Sequence, residues 1–325
     1  RIDYSDSTQG ALLLEPESTN LITQSELFSD SFYVKDSGVS VGTTNNSSPS
    51  INANATKIDV TNNGRIYSNI ATNTYYTSVF IKSGTFSHFK FAGSNIDLIA
   101  ETNSNGTIQS FGNGWYRIGK SYTGNRPFQV QAYPDGTYSS HTTSGNYFIW
   151  GAQSEVQSYA TSYIPTNGAT ATRNQELCNN ATPEINSEEG VLYLEVSALG
   201  DDVARIISIS DGSNSNYVSF EYSVLTNLIR VRLVSGGVEQ SFYQSTSYNY
   251  LQYHKIAISY KLNNFKVYID GTEVYTDTSS IMPIGLNELS FANGTNGSPF
   301  FGNTKGLKVY PKALSDVELQ DLTTI

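Results

Sequence analysis

The chain has one cysteine and one methionine in 325 residues. A lone cysteine, Cys178, excludes an intrachain disulfide. Its neighbours Leu177 and Asn179 offer none of the electropositive surroundings that make a thiolate reactive, so Cys178 reads as a bystander. Charge is scarce as well: 15% of residues are ionised, against a usual share of roughly a quarter. Lysine and arginine are the scarcer sign, 19 against 29 acidic residues, for a net charge of −10. That balance argues against nucleic acid or an anionic membrane surface as a partner. No run approaches the roughly 20 apolar residues that cross a bilayer, the longest aliphatic block being Ala11-Leu12-Leu13-Leu14, so no membrane insertion is expected. The chain opens at Arg1 without a methionine or a signal-like segment, as an excerpted or processed protein would.

What replaces charge is Ser, Thr, Asn and Gly, together with 23 Tyr, 15 Phe and 2 Trp. Aromatics at 12% exclude a disordered chain. The shortage of Lys, Glu, Leu and Met, the good helix formers, excludes a helical one. The expected class is all-β, in two domains at about 150 residues each.

Period-two alternation supports that class. Thr77, Val79 and Ile81 share one face of a strand and Ser78, Phe80 and Lys82 the other; Trp115–Ile118, Phe128–Tyr133 and Tyr147–Trp150 alternate likewise. Aliphatic periodicity then lapses between Pro165 and Glu189. The expected layout is a first module over residues 1–173, a linker over 174–187 and a second module over 188–325. The second series runs through Val191–Val196, Arg205–Ile209, Tyr217–Tyr222 and Leu228–Leu233. Phe265–Ile269 turns at Asp270-Gly271, a pair suited to the positive φ of a two-residue hairpin. One short helix is expected at the end, where Ser315-Asp-Val-Glu318 spells a capping box and Leu314 with Leu319 fits a hydrophobic staple.

Several of these strings resemble known modules. Asn264–Val274, Gly302–Tyr310 and Ala313–Leu319 resemble the closing strands and terminal helix of laminin-G/concanavalin-A-like lectin domains, a likeness covering about residues 188–325. The landmarks of the first half are Ala11–Ile22, Gly114-Trp-Tyr-Arg117, Trp150-Gly-Ala-Gln-Ser-Glu155, Tyr159–Thr166 and Ala169–Arg173. They are similar to head-fibre and tail-fibre virion proteins of marine bacteriophages, in which a jelly-roll module precedes a lectin-like one. The resemblance implies two tandem β-sandwiches, and says more about architecture than ligand.

Laminarinase-type glycoside hydrolases share the concanavalin-like sandwich and need paired carboxylates about 5 Å apart on one strand. The nearest match, Glu184-Ile-Asn-Ser-Glu-Glu189, has Asn where such enzymes place Asp and lacks interleaved core residues, so it reads as a solvated acidic loop. His88, His141 and His254 lie in separate segments without metal-like spacing. The Gly-x-Ser-x-Gly string Gly38–Gly42 and the Gly-x-x-x-x-Gly-Lys-Ser string Gly114–Ser121 lie in strand-like stretches with no helical pattern after them, so neither reads as a nucleophile elbow or a phosphate-binding loop. The expectation is a protein that is not an enzyme.

No cofactor is required on this reading. Calcium is the one candidate, since both sandwich types often carry it; Glu26 and Glu155 in the first module and Asp201, Asp202, Asp211 and Asn214 in the second are the candidate ligands. Such Asp and Asn residues also serve turn geometry alone. For sugar, alternation puts Trp115 and Arg117 outward with Tyr76, and Gln129, Gln131 and Tyr133 outward on the following strand. The competing reading is that this face packs beneath a loop or a neighbouring subunit. In the second module Tyr243, Tyr248, Tyr250 and Tyr253 surround a polar loop, with Tyr248 and Tyr250 the candidate sugar contacts. The expected function is adhesion: a fibre or capsid-decoration component on a virion surface, or otherwise extracellular, that binds bacterial-surface glycans or marine polysaccharide. Other virion proteins and further copies of itself in a homo-oligomer are its expected partners. The rival readings are accessory modules of a secreted polysaccharide-degrading enzyme, and a self-assembling fibre subunit without a glycan ligand.

Overall fold

A computed structural model of the protein describes residues 1–4, 9–42, 48–50, 53–200, 204–225 and 227–325. The chain divides into two compact units, one formed by Glu17–Asn174 and the other by Arg1–Pro16 together with Gln175–Ile325. The all-β expectation holds: strands dominate, and Asp316–Thr323 is the one helix among the described residues.

The expected domain boundaries need two corrections. Residues 1–16 belong with the C-terminal unit, because Ala11–Leu14 pairs antiparallel with Gly302–Tyr310, setting Leu12 opposite Thr304. Leu14 is buried in that unit's core. A four-residue aliphatic block is thus the second strand, inside the edge strand Ile2–Asp3, of a sheet completed some 290 residues later. The stretch 174–187 is no free linker either. Ala181 exchanges both backbone hydrogen bonds with Leu289 (2.9 and 2.7 Å), Phe291 N–H donates to the Cys178 carbonyl, and Ile185 and Cys178 pack against the core. Its sequence lacks periodicity because it follows the edge of a sheet without being a regular strand. Strands from both sides of the expected linker therefore share one sheet, and the module Glu17–Asn174 is an insertion in the chain of the other unit rather than the first of two beads.

Within Glu17–Asn174, two six-stranded antiparallel sheets face each other among the described residues. One runs Thr102–Asn103, Ser94–Asp97, His88–Phe91, Gln129–Tyr133, Arg65–Ser68, Tyr33–Lys35. The other runs Thr107–Ser110, Trp115–Gly124, Asn73–Ser83, Gly145–Glu155, Thr56–Val60, Val39–Gly42. Alternation places Phe89, Phe91, Val130 and Ala132 of the first sheet against Val79, Ile81, Ile118 and Ile149 of the second, and all are fully buried.

Among the described residues, the second unit packs a seven-stranded sheet on a five-stranded one. Leu192, Leu194 and Val196 of Glu189–Ala198 meet Ile207, Ile209, Val218, Phe220 and Val231 of the five-stranded sheet in a fully buried core. Asp270 and Gly271 adopt φ of +49° and +79°, the conformation that turns Phe265–Ile269 into Thr272–Asp277. The Asp270 carboxylate accepts from Lys255 N–H at 2.9 Å and contacts His254 Nδ1 at 2.6 Å, which ties the turn to the next strand. At the C-terminus Ser315 caps Asp316–Thr323 with both bonds of the capping box, and Leu319 is buried on Val191, Ala257 and Tyr268.

Candidate functional site

The five-stranded sheet of the second unit turns one face to the core and leaves the other for chemistry. Because Val218, Phe220 and Tyr222 point inward, Tyr217, Ser219 and Glu221 of Tyr217–Tyr222 point outward; Ser208 does so from Arg205–Ser210 and Arg232 from Ile229–Ser235. The loops carrying Asn214 and Asn293 rise beside them and close a pocket of about 270 Å³. The loops can approach because residue 294 is glycine: a Cβ there would lie 1.9 Å from the Ser213 carbonyl oxygen.

The pocket floor is hydroxyl and carboxylate. Ser208 and Ser219 are buried, the former donating to the Ala292 carbonyl at 2.7 Å. Glu221 accepts from Arg230 Nη1 at 3.1 Å and lies 4.0 Å from Arg232 Nε, while Arg232 Nη1 reaches Glu239 at 3.4 Å. Arg232 also lies over the Phe242 ring, 5.2 Å from its centroid, so its guanidinium is held on several sides. Burial pushes the Tyr217 hydroxyl pKa up, opposed by the adjacent Arg232, and the phenol stays neutral over the physiological range. The result is a mixed set of donors and acceptors beside one aromatic ring, at the small end of ligand pockets, which span roughly 300–1,000 Å³. A larger groove of about 560 Å³ at Leu262, Ile281 and Met282 is more apolar, and its charged wall is spent on the 3.0 Å Lys261–Glu189 pair.

A sequence model described as the concanavalin A-like lectin/glucanases superfamily matches residues 192–320. The matched segment carries the strands and loops that build this pocket. Residues 192–320 form a concanavalin-A-like lectin domain. No curated protein sequence matches the chain. Among solved structures, the chain is similar to the Ruminococcus gnavus IT-sialidase CBM40, with 14% identity over 46% of this chain and 96% of that one at a TM-score of 0.38. It is similar to sheep galectin-11, with 7% identity over 41% and 96% at 0.30. Domains LG4-5 of the mouse laminin α1 chain give 9% identity over 76% and 86% at 0.29.

Of the residues singled out in sequence, the lectin domain brings Asn214 to the pocket, where its amide reaches Thr295 Oγ1 at 3.2 Å. Asp211, the neighbouring metal candidate, spends its carboxylate on its own loop, accepting from Ser213 N–H and hydroxyl and from Asn216 Nδ2. Burial works against its charge, but these bonds prevail and hold its pKa below the usual carboxylate range. Asp201 and Asp202 lie outside the described residues. Tyr250 is corrected to a core residue, 7% exposed. Tyr248 is half-buried beside Tyr243 and the His254 ring, and burial together with Tyr243 pushes its hydroxyl up to about 12.

The sugar face proposed for the first unit does not survive as one surface. Strand Trp115–Gly124 and strand Gln129–Tyr133 belong to opposite sheets, so their outward faces point away from each other. Trp115 is only 2% exposed and packs with Phe80, Trp150 and Ala55 beneath the chain that covers that sheet. Arg117 lies over Phe80 and donates to Ser78 Oγ, and Tyr76 is buried with its hydroxyl on Thr107. On the other sheet Tyr133 is buried and Gln131 donates to the Asn63 carbonyl at 2.6 Å, while Gln129 is half-buried. Gln129 apart, these are structural roles, the competing reading made real for the Trp115 face by a covering layer that alternation cannot reveal.

The metal candidates of that unit are likewise committed. Glu155 is fully buried and accepts from Ser18 Oγ, Gln153 Nε2, and both the backbone and hydroxyl of Thr161. Asn20 spans Ala152, Ile164, Ile22 and Ser154, and Ser25, Tyr163, Glu26 and Thr166 extend the network. The segments Ser18–Glu26, Ala152–Glu155 and Thr161–Thr166, which hold parts of the landmark strings, are thus one buried hydrogen-bonded knot joining the start of the unit to its end. Among the described residues no three of His, Cys, Asp and Glu gather as a metal site. The pocket residues Ser208, Tyr217, Ser219, Glu221, Arg232 and Asn293 were missed in sequence; the signal was polar residues alternating with a fully apolar set on consecutive strands.

Proposed function

We propose that the protein is a non-enzymatic glycan-binding adhesin whose lectin domain takes a terminal sugar in the pocket between Asn214, Asn293, Tyr217 and Arg232. The observation that carries this reading is the pocket's composition: Arg232 and two amides as donors, Glu221 and serine hydroxyls as acceptors, and the Tyr217 ring for a C–H face. The superfamily matched by residues 192–320 includes lectins and supports a carbohydrate ligand. The fibre-protein strings of the first half support a virion setting, in which the protein would act on a virion surface or otherwise outside the cell with other virion proteins as partners. Against an enzyme stand the acidic stretch 184–189, where Glu184 and Glu188 are exposed and Glu189 is paired with Lys261, and the pocket's Glu221, tied to Arg230.

A glycan array on the purified full chain tests the reading. One or a few glycan classes should bind, and Arg232→Gln should weaken the best of them about tenfold or more, the worth of a hydrogen bond to a charged group. Asn214→Ala, at an exposed loop position, should weaken binding with an unchanged melting profile. Silence across the array, or binding indifferent to both substitutions, would reject the pocket; turnover of a polysaccharide by the pure chain would reject the non-enzymatic role.

A further inference from the structure

A second ligand surface lies on the first unit, independent of the lectin pocket. In a chain of net charge −10, the outward face of the sheet containing Gln129–Tyr133 collects three cations. Gln131 sits opposite Arg65 on one neighbouring strand and Lys90 on the other, and Lys90 in turn faces Asn95 on the next strand. One row across four strands therefore reads Arg65, Gln131, Lys90, Asn95. At about 4.8 Å per strand, the backbones bearing Arg65 and Lys90 are about 10 Å apart. Beside that row Gln129 faces Tyr67, and Arg126 lies over the Tyr67 ring at 4.6 Å with Arg65 at 5.6 Å.

The cations are held in place by neutral groups. Lys90 lies 5.2 Å from the Tyr133 centroid and donates to the Tyr138 carbonyl at 3.3 Å; Arg126 Nε donates to Asn69 at 3.1 Å. Among the described residues neither Lys90 nor Arg126 has an ion-pair partner. Arg65 has one, Asp36, at 2.8 Å through Nε, which leaves its terminal amino groups outside that bond. The other carboxylates of this face lie toward its His88–Tyr133 end: Asp97 is held by His88 and by Ile99 and Ala100 N–H, and Asp135 by Thr137. Tyr67 and Tyr133 are themselves too buried to serve as open stacking platforms, so what the face offers outward is positive charge and amide.

We propose that this face binds an acidic polysaccharide, its carboxylate or sulfate groups taken by Arg65, Lys90 and Arg126 and its hydroxyls by Gln129 and Asn95. Cations fixed over tyrosine rings need little ordering on binding. Their row across the strands suits a repeating anionic chain. Local charge here has to act against the repulsion of a net-acidic protein, so a polyanion held by it would be released by salt as the field is screened.

The test is affinity electrophoresis of the full chain in native gels carrying polygalacturonate, dextran sulfate or neutral dextran. Retardation is expected in at least one acidic gel and not in neutral dextran; which acidic gel responds tells carboxylate from sulfate recognition. It should weaken between 50 and 300 mM NaCl, on the order expected from the shortened screening length. The double variant Lys90→Gln/Arg126→Gln, at half-buried surface positions, should lose at least about tenfold in affinity, with the melting profile of the chain unchanged. Arg232→Gln, in the other unit, should leave this retardation as it was. No retardation in either acidic gel, equal retardation in dextran, binding retained by the double variant, or competition by single-stranded DNA at equal charge concentration would each overturn the proposal.

Discussion

Trp115 shows what a single residue's environment decides. Alternation correctly put it on the face opposite Ile118, and that face was still not solvent, because chain from elsewhere in the unit covers the sheet and leaves Trp115 only 2% exposed among Phe80, Trp150 and Ala55. A two-residue period tells which side of a strand a side chain takes and carries no information on what lies over that side. Trp115→Ala should therefore destabilise the chain by about 3–5 kcal/mol, the usual range for truncating a buried large aromatic. Denaturant melting of the variant measures this; weakened glycan binding at unchanged stability would restore Trp115 as a sugar platform. Arg232 is the opposite case. It was legible as an outward residue between Val231 and Leu233, but its meaning depended on the separate loops carrying Asn214 and Asn293 closing the pocket around it.

Elements defined by local chemistry were read accurately. The Asp270-Gly271 turn and the Ser315 capping box each depend on residues within a few positions, so their signals are complete in the sequence. The helix then adds its own electrostatics. Lys266 hydrogen-bonds the Asp316 carboxylate at 2.5 Å and lowers its pKa, and the Ser315 hydroxyl and backbone N–H lower that of Glu318. Both carboxylates are exposed, so the effect is screened and modest. Its sign is definite: depressed folded values stabilise the docked helix above the ordinary carboxylate range, and that contribution is lost as pH falls through the folded values. Hydrogen exchange over residues 316–323 should accordingly speed up in acid more than exchange in the core strand Glu189–Ala198. Ser315→Ala should cost about 1 kcal/mol of helix stability near neutral pH, and should reduce the part of the acid response that comes from Glu318, since the hydroxyl bond is lost and the backbone N–H bond stays. An acid response that Ser315→Ala leaves untouched would mean the cap does not set it.

At the scale of the whole molecule, chain order and domain order differ, and no local pattern could have shown it. Ala11–Leu14 looks like any short apolar strand; only its partner, Gly302–Tyr310, assigns it to the lectin-like unit. The two ends of the inserted unit meet each other, with Ala171, Thr172 and Arg173 paired to Asn20, Thr19 and Ser18. In the lectin-like unit the two cut ends also meet, Glu176 N–H donating to the Glu15 carbonyl at 2.9 Å and the Glu176 carboxylate accepting from Glu15 N–H at 3.0 Å. An insertion whose entry and exit lie side by side can be removed without stretching the host. A chain lacking residues 17–174, with Pro16 joined to Gln175 through a few glycines, should therefore fold, keep the cooperative melting of a β-sandwich and retain any glycan bound at Arg232. Gln175–Ile325 alone should be less stable, since it loses two strands of its sheet and the buried Leu14. Burying such a leucine is worth roughly 1.5–3 kcal/mol. Urea melts of the two shortened chains compare them directly, and equal stability would show that residues 1–16 add nothing to the sandwich they complete.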